Sequence, residues 1–125
     1  MAGTHPARHA GVVLIVEDDV LLRLITASNL REAGFEVVEV ANAAEAVIVL
    51  NSMAVDVMLT DVNMRGNMNG VALAKWVHSH GLDTRIILTS GAVQSLGEAR
   101  EYAHFLAKPY DGNEVERLLR AMLRN

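Results

Sequence analysis

Along this chain, short apolar runs rich in β-branched residues alternate five times with longer stretches of helical character. Val12-Val13-Leu14-Ile15-Val16 opens a first strand over about residues 12–17. It leads into a helical stretch from Val20 to Ala33 that Gly34 is well placed to stop. Phe35 to Val40 reads as a second strand, and Asn42 as the cap of a helix over residues 43–50. A third run, Val55 to Asp61, precedes a loop over 62–69 with no strong period. A helix over 71–80 follows, closed by Gly81. Residues 85–90 read as the fourth strand, 94–102 as a short helix and 104–107 as the fifth strand. Val115, Leu118, Leu119 and Met122 then mark one face of a final helix.

This alternation predicts an α/β domain: a doubly wound, five-stranded parallel sheet with five helices, in three layers. The strand runs read as buried on both faces. Residues 1–10 carry no such pattern and read as a disordered N-terminal arm ahead of one domain over 11–125. No repeat or linker divides that domain, and no stretch is left after the last helix for an output domain.

Chemistry enters where the strands run out. The first run ends in Glu17-Asp18-Asp19, the third in Asp61, the fourth in Ser90 and the fifth in Lys108-Pro109. Open α/β sheets bind ligands at the carboxyl ends of their strands. Acids converging there repel, each close pair by on the order of 4 kcal/mol at an effective dielectric near 20. A cation or a bound proton relieves that repulsion. Oxygen ligands without histidine or cysteine favour a hard ion such as Mg²⁺. With the Lys108 ammonium and the Ser90 hydroxyl added, the set suits a phosphoryl group, whose transfer needs positioning and charge neutralisation. Asp19 reads as a helix cap alone.

Composition narrows the remaining classes. A net charge of −4 argues against a nucleic-acid surface. The absence of cysteine excludes disulfides and thiolate metal sites and fits a reducing compartment. The apolar runs fall short of the ~20 residues of a membrane span, and the N-terminus lacks a signal-peptide core. A soluble, cytoplasmic protein is therefore expected. His78 and His80, two apart on a helix, point to different faces and are given no ligand role.

Val-Leu-Ile-Val-Glu17-Asp18-Asp19, Leu-Thr-Asp61, Leu-Thr-Ser90-Gly and Leu-Ala-Lys108-Pro109-Tyr110 together resemble the receiver domain of two-component response regulators, over about residues 11–124. The resemblance implies a flavodoxin-like sandwich and a stand-alone signalling switch. Asp61 would accept a phosphoryl group from a histidine kinase or a histidine phosphotransfer protein. Asp18 would bind Mg²⁺ directly, Glu17 would assist through water, and the Asn63 backbone carbonyl would add a ligand. Ser90 and Lys108 would contact phosphoryl oxygens, and Lys108-Pro109 would be a cis bond. Phe105 would rotate inward with Ser90 and alter the face of the fourth helix, fifth strand and fifth helix for an unidentified downstream protein. A homodimer stays open as a further partner.

Three departures bear on these roles. Arg65 stands where members often carry proline, Phe105 lacks the hydroxyl of the common tyrosine, and residues 91–107 are short for a full fourth helix. Asn63 and Ala92 lie at positions that in this family tune loss of the phosphoryl group, so the resemblance implies a short-lived phospho-form. Leu21, Leu22 and Leu24 exceed what one helix face buries, an apolar patch that the resemblance implies as a phosphodonor contact. Two other functions compete: a receiver-like binding module that is never phosphorylated, and a Mg²⁺-dependent aspartyl phosphohydrolase. The hydrolase needs a general acid two residues after its nucleophile, where this chain has Asn63. A nucleotide or flavin carrier would need a glycine-rich turn where Glu17-Asp18-Asp19 stands.

Overall fold

The structure, a computed structural model, describes residues 10–91 and 96–124. Its elements are β1 (Val12–Val16), α1 (Val20–Glu32), β2 (Glu36–Val40), α2 (Ala43–Ser52), β3 (Val57–Asp61), α3 (Gly70–Ser79), β4 (Arg85–Ser90), a 3₁₀ helix (Gly97–Glu101), β5 (Ala103–Ala107) and α4 (Gly112–Leu123). All strand pairs are parallel, in the order β2-β1-β3-β4-β5. A reversal of winding beside β1 leaves β1 and β3 adjacent at the centre, where the acidic turns meet.

The period-2 alternation of the strands sorts their side chains into two cores. Val13, Ile15, Val57, Leu59 and Ile87 pack against Ala27 and Leu30 of α1 and Val115, Leu119 and Met122 of α4. Leu14, Val16, Met58, Ile86 and Leu88 pack against Ala46 and Leu50 of α2 and Leu73, Ala74 and Val77 of α3. Each fully buried aliphatic contributes roughly 1.5–3 kcal/mol, so the three central strands anchor the sandwich.

Polar caps set the helix starts. Asp19 accepts the Leu22 N–H at 3.1 Å, Asn42 the Glu45 N–H and Asn69 the Ala72 N–H, both at 2.9 Å. Asp111 and Glu114 form a reciprocal capping box on α4. Ala10, within the stretch expected to be a loose arm, donates its N–H to the Gly34 carbonyl at 2.9 Å.

Two expectations need correction. The short helix over 94–102 is not an α-helix in its described part: residues 97–101 form a 3₁₀ helix. Gly97 takes φ +56°, a left-handed value that breaks a right-handed helix, and only five residues separate it from β5. The domain thus has four α-helices among its described residues, and the last is α4. Nor are all strands buried on both faces. β5 is an edge strand with an intermediate-to-exposed pattern throughout, and the element before it is a short 3₁₀ helix, not a full α-helix that could cover its face.

Candidate functional site

At the carboxyl ends of β1 and β3, Glu17, Asp18 and Asp61 each place a carboxylate oxygen within 4.8 Å of the others. Val16 and Thr60 are in register across the β1–β3 pair, so the residues after them emerge side by side. Glu17 and Asp61 are buried, at 4% and 9% exposure, and Asp18 is half-buried.

Lys108 reaches in from the end of β5. Its Nζ lies 2.9 Å from Asp61 Oδ2 and 3.0 Å from Glu17 Oε1. Partial burial alone favours the neutral amine, but hydrogen bonds to Asp61 and then Glu17, together with the attraction of their charges, outweigh it. The lysine pKa is therefore raised above its ordinary value. Its backbone is fixed too: the Lys108 N–H donates to the Ser90 carbonyl at 2.8 Å, and the Lys108–Pro109 peptide bond is cis.

The other bonds fix each acid separately. Glu17 Oε2 accepts the Asp19 N–H at 3.1 Å, so both of its oxygens are engaged. Its carbonyl accepts from Arg23 Nη1 at 2.8 Å. Asp61 Oδ1 accepts the Asn63 N–H at 3.1 Å, which turns the start of the β3–α3 loop back over the end of β3. Asp18 Oδ2 accepts the Arg65 N–H at 3.3 Å.

Gly70, the first residue of α3, packs against the backbone of Asp61 and Val62 and donates its N–H to the Val62 carbonyl at 2.9 Å. A Cβ built there would run into the Asp61 carbonyl. The sequence signal was a glycine directly after the helix cap, in a position whose dihedrals do not require one. Neither this packing nor the Arg65–Asp18 bond was anticipated.

Of the expected site residues, Glu17, Asp18, Asp61 and Lys108 come together directly. Ser90 is 1% exposed at the end of β4, one residue beyond Thr89, which is in register with Asp61. Asn63 is exposed and joined to Asp61 through its N–H. Phe105 lies outward on β5, 43% exposed and in register with Leu88. Ala92 lies outside the described residues. The imidazoles of His78 and His80 stack on Tyr102 and Trp76, away from the acids.

The donor set fits a hard divalent cation. Three carboxylates against one ammonium leave two formal negative charges, and every ligand atom on offer is oxygen. Among the described residues no helix is long and apolar enough to cross a membrane.

The profile of the response regulator receiver domain matches residues 13–120. The DNA-binding transcriptional regulator NtrC of Escherichia coli K12 is 33% identical over 113 residues, covering 87% of this chain and 24% of that protein. The chain spans about a quarter to a half of the length of the curated relatives it matches. Among solved structures, the chemotaxis response regulator CheY4 of Vibrio cholerae superposes with a TM-score of 0.80 at 27% identity, covering 90% of this chain and 98% of that one. The receiver domain of the sensor histidine kinase PA1611 from Pseudomonas aeruginosa PAO1, solved with magnesium coordinated in its active-site cleft, gives 0.77 at 23% identity. That match covers 92% of this chain and 98% of the other, and it speaks to the fold.

Proposed function

The chain belongs to the response regulator receiver domain family, and from that premise we propose that Asp61 is the acceptor of a transient phosphoryl group. The observation that carries this reading is the Lys108 ammonium bridging Asp61 and Glu17 beside Asp18. The cluster keeps a buried carboxylate at a strand end, a cation to meet the incoming charge, and an excess of acid that asks for a metal.

In the proposed step, an Asp61 carboxylate oxygen attacks the phosphorus of an N-phosphorylated imidazole on a kinase or phosphotransfer protein. The new O–P bond forms as the P–N bond breaks, and the electron pair leaves with the imidazole nitrogen. Lys108 follows the charge from Asp61 Oδ2 to a phosphoryl oxygen while Glu17 keeps hold of it. The Ser90 hydroxyl donates to another phosphoryl oxygen and moves toward it. Phe105 turns inward into the space this vacates, and the exposed edge around β5 changes shape for a downstream protein. Asp18, Asp61 and the Asn63 carbonyl would hold Mg²⁺, with Glu17 acting through water. When bound, that ion neutralises the carboxylates and the transferring oxygens. Hydrolysis returns the carboxylate when a water oxygen attacks phosphorus and the acyl O–P bond breaks.

Donor docking has a candidate surface. Val20, Leu21, Leu24 and Ile25 of α1 are each at least half exposed, beside the acidic turn. This fits a protein partner that brings its phosphoimidazole over the cluster. The protein is in this reading a regulator that promotes its own phosphorylation and dephosphorylation.

Incubation with acetyl phosphate and Mg²⁺, followed by intact-mass measurement, tests the assignment. The expected result is a single phospho-adduct that Asp61→Asn abolishes, with no steady phosphate release from unrelated esters. An adduct that persists in Asp61→Asn overturns the assignment, and rapid ester turnover replaces it with a hydrolase.

A further inference from the structure

The three acids are not held alike. Lys108 secures Glu17 and Asp61, whereas Asp18 Oδ2 receives the main-chain N–H of Arg65, from a loop 47 residues further along. We propose that this N–H is the group that orients Asp18 toward the cation, so that Arg65 acts as a positioning residue for the metal through its backbone. The inference rests on the metal reading of the proposed function and adds to it the device that aims one ligand.

The physical case starts from the carboxylate. It has two oxygens, and a free carboxylate on a half-buried side chain rotates between them. A donor fixed on one oxygen sets the direction of the other. Partners of this kind, outside the metal's own ligands, commonly change metal affinity ten- to a hundredfold when removed.

The donor must itself be fixed for this to work, and the loop supplies that. At its start, the Asn63 N–H is bonded to Asp61 Oδ1. At its end, Asn69 caps α3 and Gly70 is wedged against the Asp61 and Val62 backbone with its N–H on the Val62 carbonyl. The loop is thus tied to the acceptor strand at both ends and to Asp18 in its middle. One strap joins the acid that would take the phosphoryl group to the acid that would hold the ion.

Residue identity at 65 matters for one reason. Every amino acid except proline carries the N–H, so the proposal separates backbone from side chain cleanly. Arg65→Ala and Arg65→Pro both lose the guanidinium, and only the second also loses the donor. Removing a positive charge beside a cation site favours binding, so the alanine variant should bind Mg²⁺ at least as tightly as the parent.

Calorimetric titration of Mg²⁺ into the parent chain and both variants tests this. Arg65→Ala is expected to retain or improve the dissociation constant, and Arg65→Pro to weaken it about tenfold relative to Arg65→Ala. Equal constants for the two variants overturn the role of Arg65 and leave the metal site standing. No Mg²⁺ binding by the parent chain overturns the metal site, and this inference with it. Proline also restricts the residue before it, so a second measurement uses the parent sequence at position 65. Amide hydrogen exchange at Arg65, followed by NMR, should be slow in the parent and at least tenfold faster in Asp18→Ala. An unchanged exchange rate overturns the proposal whatever the proline variant does.

Discussion

The two ends of the sheet use the same chemical group in opposite ways. At the amino end, Asp56 accepts the Val12 N–H at 2.7 Å on its side chain, while its own N–H donates to the Val12 carbonyl at 2.9 Å. Its carbonyl takes the Arg85 N–H at 2.9 Å, so one acid stitches the starts of β1, β3 and β4. Thr84 reinforces this by donating to the Val55 carbonyl at 2.8 Å. At the carboxyl end, three acids cluster around one lysine that pairs with only two of them, Glu17 and Asp61. One end uses its carboxylate on a backbone donor; the other accumulates charge beyond what its neighbours neutralise. An acid at a strand end is therefore uninformative by itself, and uncompensated charge is what marks the site.

The largest effect should come from forcing the site end apart mechanically. Gly70→Val places a branched side chain against the Asp61 carbonyl. Overpacking of this kind costs typically 1–3 kcal/mol, and a backbone obstacle puts the expected loss near the top, at about 3 kcal/mol. The midpoint of urea unfolding measures it. If Asp61 is the acceptor as proposed, the surviving folded fraction should also yield less phospho-adduct than the parent, because the end of β3 that carries Asp61 must shift. An unchanged midpoint would show that α3 can back away without disturbing β3.

Next in size is the amino end. Asp56→Ala leaves the Val12 N–H without its side-chain acceptor, for an expected loss of about 1–2 kcal/mol. Mg²⁺ affinity should stay within about twofold, since well-separated sites are close to additive. A large change in that affinity would break the comparison by showing that the two ends are coupled.

The contrast also explains what the sequence made readable. The strands of the centre were legible because β1, β3 and β4 are apolar on both faces, and their terminal polar residues stood out against that background. Glu17, Asp18, Asp61 and Lys108 could be named for that reason, and the fold brings them together. The β4–β5 connection was not legible as it folds. Residues 98–101 carry helix-forming side chains, but with Gly97 in a left-handed dihedral the described segment folds as a short 3₁₀ helix. Long-range main-chain bonds were also out of reach. The Arg65 N–H to Asp18 and the Gly70 approach to Asp61 depend on how a loop lies in three dimensions, which no periodicity encodes.

A smaller effect should have the opposite sign to those above. Asp61→Asn removes one of three crowded carboxylate charges, at the cost of one ion pair with Lys108. Two repulsions between oxygens up to 4.8 Å apart vanish against one attraction at 2.9 Å. After solvent screening the net gain in metal-free buffer is expected at about 1 kcal/mol. Saturating Mg²⁺ should erase or reverse that gain, because the parent chain binds the ion more tightly. Thermal melts with and without Mg²⁺ read both parts. A variant less stable than the parent in metal-free buffer would mean that the lysine already compensates the cluster, and the contrast between the ends would lose its basis.

The smallest effect at neutral pH is the titration of Lys108, and its sign can be worked out. Burial pulls its pKa down, the hydrogen bonds to Asp61 and Glu17 and the attraction of their charges together push it up further, and the result lies above the ordinary value. A raised folded-state pKa means that the folded chain holds the proton more tightly than the unfolded chain does. The lysine's contribution is then complete below the unfolded pKa, about 10.4, and falls as pH rises through the higher folded value. Tyr110 adds to the same alkaline loss. Burial raises its pKa, and the hydrogen bond with Thr26 at 3.3 Å opposes this without reversing it. Because the neutral phenol is favoured in the folded state, stability again falls once the unfolded chain ionises, above about pH 10. Tyr102 shifts in the same direction through burial and the nearby Glu98 and Glu101. Between pH 7 and about 9.5 these three groups should leave stability flat, and it should decline beyond about pH 10. Comparing Lys108→Met with Tyr110→Phe separates the site from the scaffold within that decline. Each should flatten part of the alkaline slope in urea unfolding, but only Lys108→Met should also change Mg²⁺ affinity, because it alone removes a positive charge from the acids. A parent slope reproduced in full by Lys108→Met would mean that the lysine holds its proton equally in both states, and hence that its bonds to Asp61 and Glu17 merely offset its burial.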